Sequence, residues 1–449
     1  MKQIKIFLFM LIGCFWLTSC GEEEDLHLSD KGLADTQPQS TVISLEEAER
    51  ELISILNELY NPLTRGGEGQ IRRIGNAYSR PIGNKATRSS EDEEILIHII
   101  NFEDEQGFAI MAGDIRLPSL IALAETGSLN EDEPIDNPGL EIFMDGLNDW
   151  TITRPPGWGG GNGGLLPPDV DVTPGLGEDI ETYHVYTNWE NKLYNGNGLC
   201  NVRWGQGFPY NNNCPIKDGQ HAVTGCVATA VAQLMSIYRY PTIYNGHTYN
   251  WTEMCKYITN TTYYYDLYRT GADDIALLMK ELGKSSNLDM DYGKESSGAK
   301  SSNIKRTLKS FGYSNGGSEE DYNTSNVASD LKNGYPILLS GYMTQKHTLG
   351  IPYYEDGHQW LAHGLMERSR EDKLYTRSGH LLNQTTECYT YILCNWGWNG
   401  KADGYYLSNC FNPSEGPTYL SDGKTEGGTV NDIEYNFKYK VSSITGIRK

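Results

Sequence analysis

The chain has 449 residues, enough for two or more globular domains, with 38% hydrophobic residues and a formal net charge of −22. The acidity is uneven, because residues 21–154 hold 28 acidic and 10 basic side chains, whereas residues 155–449 hold 31 and 25. This balance argues against nucleic acid as a partner, since phosphate binding needs patches of lysine and arginine. We interpret most of the carboxylates as a solvated surface that aids solubility.

The N-terminus has the pattern of an export signal. Two lysines precede an apolar run at residues 6–17, which is too short to span a membrane, and Cys20 follows closely. The segment resembles a bacterial lipoprotein signal, which implies removal of residues 1–19 and lipidation of the Cys20 sulfur; an ordinary secretory peptide cut nearby is the alternative. The acidic residues 21–25 resemble a tag with which some Gram-negative bacteria send lipoproteins to the outer-membrane surface. We therefore expect acyl chains to anchor an otherwise soluble chain to the outer membrane.

A tether at residues 20–43 leads to a small α+β domain predicted at residues 44–153. Its first helix begins after Ser44, with Glu47 completing a capping box before an apolar face. Strands are predicted at residues 95–100 and 108–112, a second helix at 140–147, and a loop at 61–93. Residues 154–180 are rich in glycine and proline, which indicates an exposed linker before a larger domain at residues 181–449.

The most informative segment is residues 221–235, because it begins a helix on a cysteine. Apolar residues recur at helical spacing after Cys226, and Pro241 ends the run. Cys226 thus belongs to the first turn, where unpaired N–H groups and the positive end of the helix dipole stabilise a thiolate. We expect a nucleophilic thiol with a lowered pKa; a buried cysteine on an amphipathic helix is the alternative.

Two further motifs provide partners for this cysteine. His358 lies 132 residues after Cys226, and Asn395, followed by Trp396, lies 37 residues after His358. Nucleophile, base and orienting amide in this sequence are the Cys, His, Asn order of papain-like enzymes. Gln206 supplies the amide that such sites use, beside the N–H of the nucleophile, to hold an oxyanion. As alternatives, Asn395 and Trp396 pack at a strand end, and Gln206 makes a loop hydrogen bond.

The remaining predicted elements place helices before strands. Helices are predicted at residues 226–238 and near 275–282, 304–311 and 327–332. Strands are predicted at residues 336–342, 359–366, 389–395, 404–407 and, with the clearest alternation, 433–441. A helical part followed by an antiparallel sheet is the two-lobed plan of papain-like enzymes.

Several segments, in the right order, resemble the streptopain family of secreted, papain-like bacterial cysteine proteinases. The resemblance covers about residues 185–445 and rests on residues 205–215, 223–230, 290–293, 296–298, 357–358, 395–400 and 403–405. Residues 107–114, with Arg116 and Pro118, are similar to the inhibitory prosegment of that family. Both parts of a zymogen are therefore indicated.

The resemblance implies an α+β fold, with a two-lobed papain-like catalytic domain behind an inhibitory prodomain and an activating cleavage in the linker. Cys226 as thiolate would pair with the His358 imidazolium, and Gln206 with the Cys226 N–H would stabilise the oxyanion. Asn395 would hold the imidazole ring, and Trp396 would cover that contact from solvent. No cofactor or metal is expected. The expected function is a secreted or surface cysteine endopeptidase made as a zymogen, with protein substrates and its own prodomain as partners and the membrane bound through the lipid.

Other functions and roles stay open at this stage. The alternative functions are a Cys-His-Asn amidase or acyltransferase on the same fold and a non-catalytic surface adhesin. His221, His347 and His363 are further candidate bases, but none follows a glycine at a strand start as in the family motif. Six cysteines besides Cys226, at positions 200, 214, 255, 388, 394 and 410, form disulfides in an unknown pairing or remain as buried thiols. Residues 367–387 form a longer insertion than in streptopain and are expected to make an extended hairpin near the cleft.

Overall fold

The computed structural model describes residues 42–60, 72–82, 95–115, 117–152, 182–196, 198–348, 351–376, 379–412, 419–421, 424–426 and 441–449. The described residues belong to one compact unit. The predicted signal peptide, Cys20, the tether up to residue 41 and the linker at residues 154–180 lie outside the described residues. Among those described, no helix is long and apolar enough to cross a membrane.

The N-terminal part is a four-stranded antiparallel sheet with two helices. The elements are α1 (Leu45–Leu59), β1 (Ile74–Ile82), β2 (Ile95–Phe102), a 3-10 turn (Glu103–Glu105), β3 (Phe108–Ala112), β4 (Leu120–Ala124) and α2 (Pro138–Ile152). The capping box predicted at α1 is present, since Glu47 N–H donates to Ser44 Oγ and Ser44 N–H donates to the Glu47 carboxylate. The prediction of a loop over residues 61–93 is wrong for Ile74–Ile82, which form β1. Because β1 is an edge strand with an irregular burial pattern, its sequence lacks the regular alternation of apolar and polar residues that predicts a strand.

The helical lobe of the C-terminal part is built on α3 (Cys226–Tyr238), which matches the predicted bounds. Residues 227–236 of α3 are all buried. The other helices are α4 (Trp251–Lys256), α5 (Thr262–Leu267), α6 (Arg269–Gly283), α7 (Asn303–Ser310) and α8 (Thr324–Lys332), and α6, α7 and α8 confirm the three further predictions. Two short hairpins pair β7 (Ile216–Lys217) with β8 (Gln220–His221) and β9 (Ile243–Tyr244) with β10 (His247–Thr248). α3 and α6 share one hydrophobic core, which includes Val231, Leu234, Ile275 and Leu278.

The sheet lobe continues the sheet of the N-terminal part. Its strands are β5 (Thr182–Tyr186), β6 (Glu190–Tyr194), β11 (Asn315–Asp321), β12 (Ile337–Thr348), β13 (Ile351–Thr376), β14 (Leu381–Asn395), β15 (Gly404–Leu407), β16 (Tyr419–Ser421), β17 (Lys424–Glu426) and β18 (Ser442–Arg448), with a 3-10 turn at Ser408–Phe411. The order along the sheet is β1-β2-β3-β4-β15-β14-β13-β12-β18-β11. The α+β prediction is thus confirmed, and four predicted strands correspond to β12 to β15.

The junction between the two parts is the pair β4 and β15. Tyr405 lies opposite Leu123, and Gly404 lies opposite Ala124. A Cβ at Gly404 would lie closer than 3.0 Å to Leu123 O and Ala124 Cα. The two strands can approach this closely only because position 404 has no side chain.

Two strand predictions need comment. The strand predicted at residues 433–441 lies outside the described residues except for Val441, and the described strand there is β18, at Ser442–Arg448. The extended hairpin predicted at residues 367–387 is confirmed, because β13 and β14 pair from Leu361 and Asn395 out to Tyr375 and Leu381. Its outer part pairs with β5 and β6.

Candidate active site

Cys226 is the first residue of α3. The preceding residue, Gly225, has φ +84°, and a Cβ there would lie closer than 3.0 Å to Ser297 O and Met290 Sδ. Only glycine fits this left-handed and crowded position, which turns the chain into the helix. Gly225 also provides no side-chain cap, so the helix N-terminus remains available to a negative charge on the thiol.

A cleft of about 440 Å³ brings together Gln206, Cys226 and His358. One wall is formed by the start of α3 and the loop at residues 295–301, and the other by β12 and β13. Cysteine and histidine therefore lie on opposite walls, as predicted. The described residues that line the cleft do not include the hairpin at residues 367–387, so the expectation that this hairpin lies near the cleft is wrong.

His358, on β13, is buried and bonded to the loop that follows β14. Its Nε2 lies 2.8 Å from the Trp396 carbonyl oxygen. A carbonyl can only accept, so Nε2 carries the proton of the neutral ring and Nδ1 is the basic nitrogen. The ring stacks on Trp360, at 6.2 Å between centroids, and meets Trp398 edge to face at 6.0 Å. The imidazole is thus fixed by one hydrogen bond and two indole rings.

The predicted contact between Asn395 and the imidazole is wrong. Asn395 Nδ2 donates to Val202 O at 2.8 Å, and Asn395 Oδ1 accepts from Gly397 N–H at 3.1 Å. The Gly397 N–H and the Trp396 carbonyl belong to the same peptide group. An acceptor on the N–H side polarises the carbonyl and strengthens the bond that it accepts from His358. Asn395 therefore acts on the histidine through one peptide group rather than by contact.

The role predicted for the Trp396 ring, which is to cover the histidine, is filled by Trp398 instead. The Trp396 ring is fully buried, donates from Nε1 to Ala402 O at 2.8 Å and packs edge to face on Tyr406 at 5.0 Å. It is a core side chain, whereas its backbone carbonyl holds the histidine. The half-buried Trp398 lines the cleft and contacts the imidazole, so it provides the cover predicted for Trp396.

Gln206 lies on a loop that is bonded to α3 and to the segment just before it. Thr224 N–H donates to Gln206 O at 3.0 Å, just before Cys226. Two residues before Gln206, Trp204 N–H donates to Gln233 Oε1 on α3 at 3.0 Å. These bonds hold the backbone of the loop near the start of the helix, and Gln206 lines the same cleft as Cys226, where an oxyanion stabiliser is needed.

Burial shifts the pKa values of both members of the cysteine and histidine pair in the direction that disfavours their charged forms. Burial lowers the pKa of His358 to about 4, against a smaller opposing effect of the bond to Trp396 O. Loss of hydration raises the pKa of the half-buried Cys226 thiol, and the N–H groups of Gln359 and Val227 only partly offset this. The predicted low pKa of the thiol is therefore wrong for the chain with its N-terminal part in place. Transfer of the thiol proton to the imidazole is disfavoured from both sides.

The N-terminal part reaches the cleft through α2, whose first residue, Pro138, lines it. A Cβ at Gly139 would lie closer than 3.0 Å to three carbons of the Trp396 ring. A Cβ at Gly341, in the cleft wall, would lie closer than 3.0 Å to Ile142 of α2. The helix therefore packs on the loop that holds His358 and on the wall of the cleft.

Polar contacts between the two parts follow one sign rule. In the ion pairs that join the described residues of the two parts, the carboxylate belongs to the N-terminal part: Glu125 with Arg203 at 2.9 Å, Asp136 with Lys401 at 2.6 Å, and Glu51 with the buried Arg368. The acidic N-terminal sequence is thus complementary to basic side chains on the C-terminal part.

The other histidines and cysteines have structural partners. His221 Nδ1 lies 2.9 Å from Cys214 O, outside the described lining of the cleft. His363 accepts from Cys200 N–H at 3.2 Å, and burial, with the charge of Arg203, lowers its pKa to about 3. The side chain of His347 lies outside the described residues. The seven cysteines among the described residues are all thiols, and these residues contain no cluster suited to a metal ion.

The fold and the cleft define a papain-like cysteine peptidase whose N-terminal domain packs over its own active site. Residues 204–406 match the model of the Peptidase C10 family, and residues 42–149 match that of the Spi protease inhibitor. The chain therefore contains a Peptidase C10 family cysteine protease domain, preceded by a Spi-type inhibitory prosegment domain.

The chain is similar to several known proteins and solved structures. The chain is 25% identical to streptopain of Streptococcus pyogenes over 358 residues, which cover 72% of this chain and 75% of streptopain. It is also 25% identical to the thiol protease/hemagglutinin PrtT of Porphyromonas gingivalis over 410 residues, 83% of this chain and 41% of that protein. Among solved structures, Prevotella intermedia prointerpain A matches with 20% identity and a TM-score of 0.45, covering 74% of this chain and 91% of that one. Active interpain A matches with 24% identity and a TM-score of 0.36, covering 57% and 96%.

Proposed function

We propose that the protease cleaves peptide bonds of proteins with Cys226 as nucleophile, His358 as acid and base, and Gln206 as oxyanion donor. The observation that carries this assignment is the single cleft lined by all three residues, with Cys226 at a helix N-terminus. Asn395 and Trp396 act as positioning residues for His358 through the peptide group between Trp396 and Gly397.

The reaction begins when the Cys226 thiol gives its proton to His358 Nδ1. The thiolate attacks the substrate carbonyl carbon, and the carbonyl oxygen becomes an oxyanion that accepts from the Gln206 amide and the Cys226 N–H. His358 then protonates the leaving amine, and the C–N bond breaks to leave a thioester on Cys226. Water, deprotonated by His358, hydrolyses the thioester and restores the thiol.

Latency follows from the position of α2. Pro138 of this helix lines the cleft, and we attribute to the helix part of the burial that disfavours the charged forms of His358 and Cys226. Removal of the N-terminal domain would rehydrate the cleft. The pKa of the imidazole would then rise and the pKa of the thiol would fall, so the two values would approach each other. The domain thus inhibits by covering the cleft and by suppressing the thiolate–imidazolium pair.

The processing and location of the chain belong to the same proposal. Residues 1–19 are the signal peptide, 20–43 a tether, 44–153 the prodomain, 154–180 the linker that is cleaved, and 181–449 the peptidase domain. Lipidation at Cys20 anchors the zymogen to the outer membrane, and cleavage in the linker releases the enzyme. A Cys20→Ser variant should lose incorporation of labelled palmitate and membrane recovery; unchanged labelling would refute the anchor. The net charge of −22 argues against nucleic acid as a partner.

The test compares residues 21–449 with and without Cys226→Ala, by intact mass and by casein hydrolysis under reducing conditions, before and after trypsin. The wild type should be trimmed within about residues 150–185 and should digest casein, and the variant should not digest it under any condition. If the trimmed wild type leaves casein intact, peptide-bond cleavage in proteins is refuted. Transfer of its acyl group to an added amine would then identify an acyltransferase.

A further inference from the structure

The catalytic histidine is held by a backbone carbonyl, and that backbone is itself held from behind. The carbonyl oxygen of Trp396 accepts a hydrogen bond from His358 Nε2, and the N–H of Trp396 donates one to Asp403 Oδ1 at 2.9 Å. The Asp403 side chain is 4% exposed, so this is a buried, charge-capable acceptor on a catalytic loop. The link from Asp403 to His358 passes through a single residue.

We propose that Asp403 is a positioning residue for His358, and that its carboxylate, acting through the backbone of Trp396, stabilises the imidazolium that forms during catalysis. This inference rests on the proposed catalytic pair and extends it. A neutral side chain could orient Trp396, but only a carboxylate adds negative charge behind the imidazolium. Orientation and charge can therefore be separated by experiment.

The surroundings of Asp403 connect this role to the prodomain. Asp403 lines a cavity of about 420 Å³ behind the site, together with Arg203 and Asn395 of the enzyme and Glu125 of the prodomain. Glu125 N–H donates to Asp403 O at 2.7 Å, and its carboxylate pairs with Arg203 at 2.9 Å. With the prodomain in place, the nearby cation is therefore already paired with a prodomain carboxylate.

Burial raises the pKa of Asp403 to about 7, the Glu125 carboxylate adds to this rise, and Arg203 and the Trp396 N–H oppose it. The titratable and charged groups that interact with Asp403 are Arg203, Glu125, Cys200, Cys394 and Tyr406, and Arg72, Tyr60 and His363 line the same cavity. Departure of the prodomain removes Glu125 and part of the burial, and it leaves Arg203. Both changes favour the ionised carboxylate in the active enzyme.

The experiment uses the full-length chain, processed with trypsin, as wild type, Asp403→Asn, Asp403→Ala and Asp274→Asn. The last variant is a matched control, because Asp274 is also a buried carboxylate that accepts a backbone N–H, from Asn250 at 2.9 Å, but lies outside the described lining of the cleft. The readouts are kcat and KM on a fluorogenic peptide from pH 5 to 10, and the rate of iodoacetamide alkylation over the same range. Thermal melting checks that each variant is folded.

Asp403→Asn keeps an acceptor for Trp396 N–H and should lower kcat about tenfold with KM nearly unchanged. Its alkaline limb of kcat/KM, which reports loss of the imidazolium, should move to lower pH by about half a unit. Asp403→Ala should lose at least about a hundredfold in kcat, and Asp274→Asn should keep the wild-type profile.

A folded Asp403→Asn enzyme with wild-type kcat and an unshifted alkaline limb in both assays would overturn this inference and leave the proposed function intact. A fall in kcat with no movement of the limb would also overturn it, since that result assigns only a structural role. A wild-type chain without Cys226-dependent cleavage would overturn the proposed function, and this inference with it.

Discussion

Replacing Gly139 by alanine is expected to loosen the prodomain without changing the enzyme. The new Cβ would lie closer than 3.0 Å to three carbons of the buried Trp396 ring, whereas ordinary contact begins at 3.4 Å. Helix α2 or the ring must move to relieve this overlap, and overpacking of a tight contact costs about 1–3 kcal/mol. A cost of about 2 kcal/mol corresponds to roughly 30-fold weaker inhibition, since 1.4 kcal/mol is a factor of ten.

The assay is the initial rate of full-length zymogen on a fluorogenic peptide, together with the rate of its conversion to the processed enzyme. Both rates should rise in Gly139→Ala, and the processed enzymes should have equal kcat/KM because the substitution lies in the prodomain. Alanine favours helix over glycine by about 1 kcal/mol, so α2 itself is not weakened. Glu141→Ala, at an exposed position of the same helix, is the control and should remain as latent as the wild type. Wild-type latency in Gly139→Ala would refute the argument that close packing on Trp396 holds the prodomain.

Three further outcomes are expected. Iodoacetamide at pH 7 should alkylate Cys226 about tenfold or more slowly in the zymogen than in the processed enzyme, because the covered thiol is neutral; equal rates would contradict this. The melting temperature of the Cys226→Ala zymogen should be lower at pH 5 than at pH 7. His358 and His363 have folded-state pKa values of about 4 and about 3, so between pH 7 and pH 5 each binds a proton only in the unfolded state, which destabilises the fold. Asp403, with a folded-state pKa of about 7, binds one proton in the folded state over the same range and offsets part of this loss. A melting temperature that rises toward pH 5 would contradict this sign. Gly404→Ala should weaken latency, since its Cβ would meet the β4 backbone, and should keep processed activity within about twofold; retained latency would count against the β4–β15 junction.

Much of the site could be predicted because it is encoded in side chains at informative positions. Cys226 opens a helix whose apolar spacing is clear in the sequence, and the structure places α3 at the predicted residues. His358 and Gln206 are identified by their order relative to Cys226, and the cleft brings all three together. The periodicity of a helix and the order of motifs can both be recognised in the sequence without knowledge of the tertiary contacts.

The group that holds His358 could not be predicted in the same way. It is the backbone carbonyl of Trp396, and every residue has such a carbonyl, so no residue type marks it. An amide is a suitable partner for a ring nitrogen, but the turn at Gly397, with φ +71°, brings the Gly397 N–H to 3.1 Å from the Asn395 amide oxygen. The two tryptophans, Trp396 and Trp398, indicate in the sequence that an aromatic ring contacts the histidine, but their spacing does not determine which of the two rings does so.

The prediction of a low thiol pKa is wrong for a different reason. It uses only the helix that follows Cys226, and a helix N-terminus alone lowers a thiol pKa. The cleft that holds the pair is also lined by Pro138, which is distant in sequence and belongs to the prodomain. Desolvation then outweighs the local N–H groups, so the same helix supports a neutral thiol in the zymogen.

The prodomain contacts most parts of the loop that positions the catalytic histidine, and this explains how one domain can suppress activity at several levels. Thr126 O accepts from Ala402 N–H at 3.2 Å, Asp403 O accepts from Glu125 N–H, and Gly139 lies against the Trp396 ring. The loop at residues 396–403 is therefore part of the inhibitor interface and also the support of His358. A change that displaces the prodomain frees the cleft, restores water around the dyad and changes the charges facing Asp403 in one step. Steric and electrostatic inhibition are thus lifted together, because both pass through the same eight-residue loop.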